Sequence, residues 1–319
     1  MADIPSEQEI NVTISIVNWN TREDLLACLR SFIPETERQK QSGVSFLIDG
    51  FSCEVIVVDN FSEDHSAEAV AESFPIVRLL PQDTNLGFGA GHNKAFVLSR
   101  GRYVLALNPD SLVQSGSIGQ LVRFADDRPE AGIIGPKILN PDGSLQYSAR
   151  KFPTLAAGLY RNSFLGKIFP NHPAMREYLQ SDWDHSDSRE VDWVSGAAML
   201  IRRSTLCDMG GFEEDYYMYV EDVDICWRAR KAGWAVWYSA DSTVIHIKSR
   251  ASDLAPNRMI YHHHRSMYIF FKKYYTEHSN LLDKIIVPAG LAVRASYFIG
   301  KNRYIRWRRK RQSRKNRLH

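Results

Sequence analysis

Cysteine is scarce and scattered in this 319-residue chain: Cys28, Cys53, Cys207 and Cys226 show neither the close pairing of a zinc site nor the density of a disulfide-stapled secreted domain. They read as reduced, structural thiols. The N-terminal MADIPSEQEI is acidic and polar, without the basic patch and apolar run of a signal peptide or anchor, so the catalytic part is expected to stay in the cytoplasm. No stretch supplies the ~20 largely apolar residues of a membrane span. The nearest, Leu281 to Ile299, is interrupted by Asp283, Lys284, Pro288 and Arg294. Fixed-period repeats are missing, and no low-complexity segment precedes residue 301, which argues against repeat architectures. Acids are absent from residues 301–319, where ten Lys/Arg accumulate; the first 300 residues hold 30 basic against 37 acidic side chains, a balance of −7. The chain therefore has an acidic body, with 44% apolar residues overall and enough length to bury a core, and a strongly basic tail.

Short apolar runs alternate with amphipathic stretches through the first half: a strand Val12–Val17, a helix Asp24–Phe32, a strand Val55–Val58, a helix Asp64–Ser73, a strand Val77–Leu80, a helix Gly89–Leu98 and a strand Tyr103–Leu107. This is a βαβ pattern, and it predicts four parallel strands with crossover helices. Pro34–Phe51 is polar with two glycines and reads as an enlarged, mobile loop. A helix Ser117–Ala125 and a strand Ile133–Ile138 come next, and Asn140-Pro141-Asp142-Gly143 is a turn. Residues 144–192 are irregular and read as acceptor-side loops; Val191–Ile201 returns as an apolar strand containing Ser195 and Gly196.

Ligands of open parallel sheets bind beyond the carboxyl ends of the strands. There this chain places Asn18-Trp19-Asn20, Asp59-Asn60-Phe61-Ser62 and Asn108-Pro109-Asp110, with the glycine run Asn85-Leu86-Gly87-Phe88-Gly89-Ala90-Gly91-His92-Asn93 between them. Glycines permit close backbone approach, and the following helix N-terminus suits an anion. A carboxylate after a tight turn suits magnesium or manganese, which take one or two protein carboxylates plus phosphate oxygens, so Asp110 is the candidate metal ligand. Capping of the turn is the plainer role for the same residue. Glu221, Asp222 and Asp224 open a helix whose dipole favours acids, and Asp224 can pair with Arg228 at i,i+4. His246, ending the strand Thr243–His246, is a candidate second metal ligand or a structural histidine. His262-His263-His264 cannot converge on one ion, because consecutive helical residues point in different directions.

Together these segments resemble glycosyltransferase family 2, in its rhamnosyltransferase-like branch, through VTISIVNWN, VIVVDNFSEDHS, NLGFGAGHN, LNPD, VSGAAMLIRR, GGFEEDYYMYVEDVDICWR and His246, over about residues 12–275. The resemblance implies a GT-A type α/β fold, with a Rossmann-like, mostly parallel central sheet flanked by helices. It also implies a nucleotide-sugar donor, inversion at the anomeric carbon and Mg2+ or Mn2+ as cofactor. Residues 1–275 would be the catalytic domain and 276–319 an amphipathic, basic C-terminal extension. By the same resemblance Asp222 is the catalytic base, and the neighbouring acids Glu221 and Asp224 are expected to raise its pKa. Asp110 stands at the last acid of the metal-binding Asp-x-Asp motif, with Asn108 departing from the double-acid form and His246 compensating. Asp59 contacts the base or ribose; Asn18, Asn20, Asn85, Gly87, Asn93, Asn108 and Arg265 complete the donor site, and Ser195-Gly196 is the acceptor-side turn. The same branch implies a rhamnose donor carried on deoxythymidine diphosphate and a glycan or lipid-linked acceptor.

The tail, residues 281–319, is expected to lie on an anionic membrane surface, making the protein peripheral on the cytoplasmic face; nucleic acid is not an expected partner. A solvated basic end and helix pairing between chains are the other readings of this segment. Two alternatives stand beside the transferase: a catalytically silent binder of the same fold, and a dinucleotide-dependent oxidoreductase, against which His92 occupies the place of the third glycine in the expected fingerprint.

Overall fold

The computed structural model describes residues 9–154, 172–247 and 256–316. The chain divides into two compact units, Met1–Glu214 with Glu221–Ala251, and Asp215–Val220 with Ser252–His319.

The first unit opens with β1 (Val12–Asn18), α1 (Arg22–Phe32), β2 (Phe46–Ile48), β3 (Phe51–Asp59), α2 (Ser66–Ser73), β4 (Arg78–Pro81), α3 (Phe88–Leu98) and β5 (Tyr103–Leu107). The strands β4, β3, β1 and β5 run parallel in that order, as the βαβ pattern predicts. All seven residues of β1 are buried, because helices cover both faces of the sheet. Val12, Ile14 and Ile16 face the apolar sides of α1 and α2, whereas Val17 packs with Ile56, Val58 and Ala95 of α3.

Beyond β5 come β6 (Ser111–Val113), α4 (Ser117–Asp126), β7 (Ala131–Leu139), β8 (Leu145–Gln146), β9 (Ala149–Arg150), α5 (Pro173–Leu179), β10 (Arg189–Glu190), β11 (Trp193–Val194), β12 (Ala198–Arg202), α6 (Arg203–Met209), α7 (Glu221–Lys231) and β13 (Ala235–His246). Here β12 lies antiparallel between β5 and β7, and β13 runs parallel to β7. The sheet is thus a parallel half joined to a mixed half through β12.

Two expectations change. The stretch 34–51 is not one long loop: Phe46 and Ile48 are buried while Leu47 points out, and this three-residue alternation forms β2 against β3. The turn between them carries Asp49, whose carboxylate accepts from Gly116 and Gly119 N–H at the start of α4. Nor is Val191–Ile201 one strand. Ser195–Ala197 breaks it into β11 and β12, because Ser195 N–H donates to the Ser148 carbonyl (2.8 Å) and Gly196 N–H to a side chain, neither of them in a sheet ladder. Of the expected acceptor-side loops, residues 155–171 lie outside the described residues. The four cysteines are free thiols.

The second unit is helical, with α8 (Pro256–Tyr274) packed on α9 (Leu281–Asn316). No helix among the described residues is long and apolar enough to cross a membrane.

Candidate active site

Three loops at the carboxyl ends of β1, β3 and β4 are tied to one another by asparagines. Asn18 is buried; its Nδ2 donates to Asp59 Oδ1 (3.0 Å) and its Oδ1 accepts from Thr21 Oγ1. The other oxygen of Asp59 accepts from Ser62 N–H (3.0 Å). Asn20 sits at φ 52° and its Oδ1 takes Glu63 N–H (2.7 Å). Asn60 clamps the glycine run, donating to the Gly87 carbonyl (2.8 Å) and accepting from Leu86 N–H. Asn85 Oδ1 accepts from Gly87 N–H, and Gly87, at φ 89°, hands the chain into α3. His92 on α3 is a core residue: burial lowers its pKa to about 3, and its Nδ1 meets Ser15 Oγ at 2.8 Å.

Asn93 holds the start of the segment leading toward α7. Its amide donates to the Phe212 carbonyl and Glu214 Oε1, both at 2.9 Å, and accepts from Phe212 N–H. Gly211 has φ +86°, and a Cβ there would stand 2.5 Å from Asn93 Oδ1. Gly211→Ala is therefore expected to cost about 1–3 kcal/mol, the range for a strained backbone position. A wild-type midpoint in urea unfolding would disprove this clamp.

Asp110 and His246, 136 residues apart in sequence, meet because β6 pairs with the end of β13 and sets His246 opposite Ser111. The register of β13 against β7 shifts between Ser239 and Thr243, ahead of that pairing. His246 Nε2 lies 3.2 Å from Asp110 Oδ1 and 3.3 Å from Asn108 Nδ2. Behind the ring stands Gln146. Its amide nitrogen donates to the carbonyls of His246 (2.7 Å) and Leu139, so its oxygen is the atom 3.2 Å from His246 Nδ1. Nδ1 is thus the donor to Gln146, and Nε2 faces Asp110 and the Asn108 amide.

Asp222 belongs to the N-terminal turn of α7. Two main-chain donors hold its carboxylate, Gly196 N–H on Oδ2 (3.1 Å) and Val223 N–H on Oδ1 (2.9 Å). Burial raises its pKa, and burial followed by the Asp222 charge raises that of Glu221 further still. Glu221 Oε2 is buried without a hydrogen-bond partner among the described residues, so Asp222, with its two N–H donors, is the acid of the pair that ionises first. Burial, not the Glu221 and Asp224 charges expected to do so, raises the Asp222 pKa; Asp224 is itself buried in an ion pair with Arg228 (2.7 Å). Tyr219 and Val220, immediately before the helix, both have positive φ, 68° and 72°. A β-branched residue there is a strained position of the kind found at functional sites.

The turn Ser195–Ala197 joins the two clusters. Its Gly196 N–H reaches Asp222, and one residue on, the Ala197 carbonyl accepts from Asn108 N–H (2.9 Å) and Ser111 Oγ. One buried carboxylate and one carboxylate–imidazole pair are thus tied to the same three-residue turn. Arg265 lies on α8 in the second unit, where it donates to the Asp215 carbonyl (2.8 Å). His262, His263 and His264 point apart, toward Tyr217, Tyr219 and the Ile260 carbonyl respectively.

Residues 13–185 match the family model described as glycosyl transferase family 2. This chain belongs to glycosyltransferase family 2. Over 228 residues it is 38% identical to the N-acetylglucosaminyl-diphospho-decaprenol L-rhamnosyltransferase of Mycobacterium tuberculosis, covering 68% of this chain and 73% of that protein. It is 31% identical over 169 residues to the rhamnosyltransferase WbbL of Escherichia coli K12, covering 50% of this chain and 61% of WbbL. Among solved structures it is similar to the mannosyltransferase PcManGT of Pyrobaculum calidifontis in complex with GDP-Man and Mn2+ (TM-score 0.51, 16% identity, 91% of this chain and 72% of that one). It is also similar to GalNAc-T7 with UDP, GalNAc and Mn2+ (TM-score 0.53, 15% identity, 75% and 43%). The family 2 chain is a glycosyltransferase of the GT-A fold in the rhamnosyltransferase-like branch, which sets the oxidoreductase alternative aside.

Gln146 is a group of the candidate site that sequence reasoning missed, and the contacts of Asn60, Ser62 and the Gly196 N–H, residues it named only by position, emerge from the structure. For Asn60 and Ser62 a signal was present, since both come directly after Asp59 at a strand end. For Gln146 and Gly196 N–H the role depends on contacts across 100 and 26 residues.

Proposed function

We propose that this chain is an inverting rhamnosyltransferase that moves rhamnose from dTDP-rhamnose to a lipid-linked glycan in cell-surface polysaccharide synthesis, with Mg2+ or Mn2+ as cofactor. The names of its relatives support the sugar and the lipid-linked acceptor. The observation that carries the mechanism is the placement of Asp222 and of the Asp110–His246 pair on either side of the Ser195–Ala197 turn.

An inverting transfer requires a base behind the anomeric carbon and relief of charge on the departing diphosphate. In this reading Asp222 takes the proton of the acceptor hydroxyl as that oxygen bonds to the anomeric carbon and the bond to the diphosphate breaks. Asp59 and Asn20 receive the base and ribose, while the Asn85–Gly87 loop and the N-terminus of α3 face the diphosphate. Asp110 and His246 would hold the metal. One carboxylate oxygen and one imidazole nitrogen 3.2 Å apart suit an ion that would take its remaining ligands from phosphate oxygens and water. Bound there, the metal would neutralise charge developing on the leaving group.

The test is donor binding and hydrolysis over a panel of nucleotide-sugars, with Mg2+, Mn2+ or chelator. dTDP-rhamnose is expected to bind best, and only with metal. No response to any donor under any metal would refute the reading.

A further inference from the structure

Helix α9 has two apolar faces, and among the described residues only one is covered. Val287, Leu291 and Phe298 lie half-buried on the side that packs on α8. On the other side Leu281 (76% exposed), Leu282 (62%), Ile285 (60%), Ile286 (54%), Val293 (71%) and Tyr297 (62%) stand in solvent. Their three- and four-residue spacings put them on one stripe, with Ala289, Gly290, Ala292, Ser296 and Gly300 filling the gaps. The stripe runs about 30 Å at 1.5 Å per residue. The charges of this segment, Asp283, Lys284 and Arg294, fall elsewhere on the helical wheel. An uninterrupted apolar stripe of this length on a water-facing helix marks an interaction surface.

The residues C-terminal to the stripe identify its partner. Lys301, Arg303, Arg306 and Arg308 are all exposed, with exposed Tyr304 and Trp307 between them. No acid occurs after Asp283, and residues 301–319 carry ten bases. Apolar side chains along one line, aromatic rings at its end and then a basic run match, in order, acyl chains, the interfacial zone and anionic headgroups. A second copy of α9 laid on the stripe would cover the apolar residues but offer the basic run no opposite charge.

We propose that the exposed face of α9 docks the protein on an anionic bilayer surface, with the helix lying in the interface rather than crossing it. The inference rests on this helix alone and deepens the reading of a lipid-linked acceptor. Its test uses neither donor nor acceptor, so the two readings fail separately.

The full chain would be sedimented with phosphatidylcholine vesicles, with and without phosphatidylglycerol, and its mass in solution measured by light scattering. Wild type is expected to partition onto the anionic vesicles and to be released by salt. Replacing Lys301, Arg303, Arg306 and Arg308 with glutamine should weaken partitioning by about five-fold per residue. Leu282→Glu with Ile286→Glu, both on the surface, should abolish it while leaving the thermal midpoint unchanged; Val293→Glu alone repeats the test should that pair disturb folding. Equal binding to both vesicle types, binding indifferent to the stripe substitutions, or a dimer that these substitutions dissociate in the absence of vesicle binding would each overturn the proposal.

Discussion

Asp222→Asn is expected to lower turnover by about 10²- to 10⁴-fold, the usual worth of a general base, while leaving donor affinity unchanged. The pH profile gives an independent reading. A base must be ionised, so wild-type kcat/KM should fall as pH drops through the Asp222 pKa. Burial puts that acid limb above the ordinary carboxylate range. In Asp222→Asn the limb should vanish from the residual activity. Stability runs the other way. Both Asp222 and Glu221 have raised pKa values in the folded state. Their contribution to stability is thus fully present below the unfolded carboxylate pKa and is lost as pH rises through the folded values. The variant should therefore lose less stability than wild type between acid and neutral pH, even though asparagine leaves one of the Gly196 and Val223 N–H groups without its acceptor. Turnover within a few-fold of wild type, or loss of donor binding alongside turnover, would remove Asp222 from the role of base.

Asp110→Ala is expected to cost at least about 100-fold in donor affinity in Mg2+ or Mn2+, the upper end of what loss of even an outer partner of a metal costs. The variant should bind equally weakly with metal or chelator. The coupling to His246 is the sharper measurement. When two side chains hold one ion, removing the second after the first changes little, so the loss in Asp110→Ala with His246→Ala should fall well short of the two single losses combined. Calorimetric titration of donor into the four proteins measures this directly. Fully additive losses would show that Asp110 and His246 do not share an ion.

The fold half that repeats βαβ was legible because its signals are local: each strand is a short apolar run and each helix has one apolar face. Tyr103–Leu107 matches its predicted bounds, and β1 and α3 differ from theirs by one residue. Legibility failed where a segment's partner is distant. Phe46–Ile48 is too short to carry a period, and it is a strand only because β3 offers an edge. The break at Ser195 is set by Ser148 and Asp222, not by its neighbours. The candidate site shows the same division. Asp110, Asp222 and His246 stood out as chemistry-bearing residues at element ends, but their meeting depends on the register of β6 with β13 and on main-chain hydrogen bonds that leave no mark in residue type. Asn18 and Asn93 were selected for their polarity, and the structure commits both amides to holding loops.

The joint between the two halves of the site is made of peptide groups: Ser195 N–H on the Ser148 carbonyl, Gly196 N–H on Asp222, and the Ala197 carbonyl taking Asn108 N–H. Peptide groups are the same in nineteen of the twenty amino acids, proline being the one without an N–H. The separation between Asp222 and the Asp110–His246 pair is therefore insulated from side-chain replacement in the turn itself. Descendants of this sequence can exchange the side chains around the turn, Gln146 behind His246 excepted, without resetting the spacing of Asp222 from Asp110.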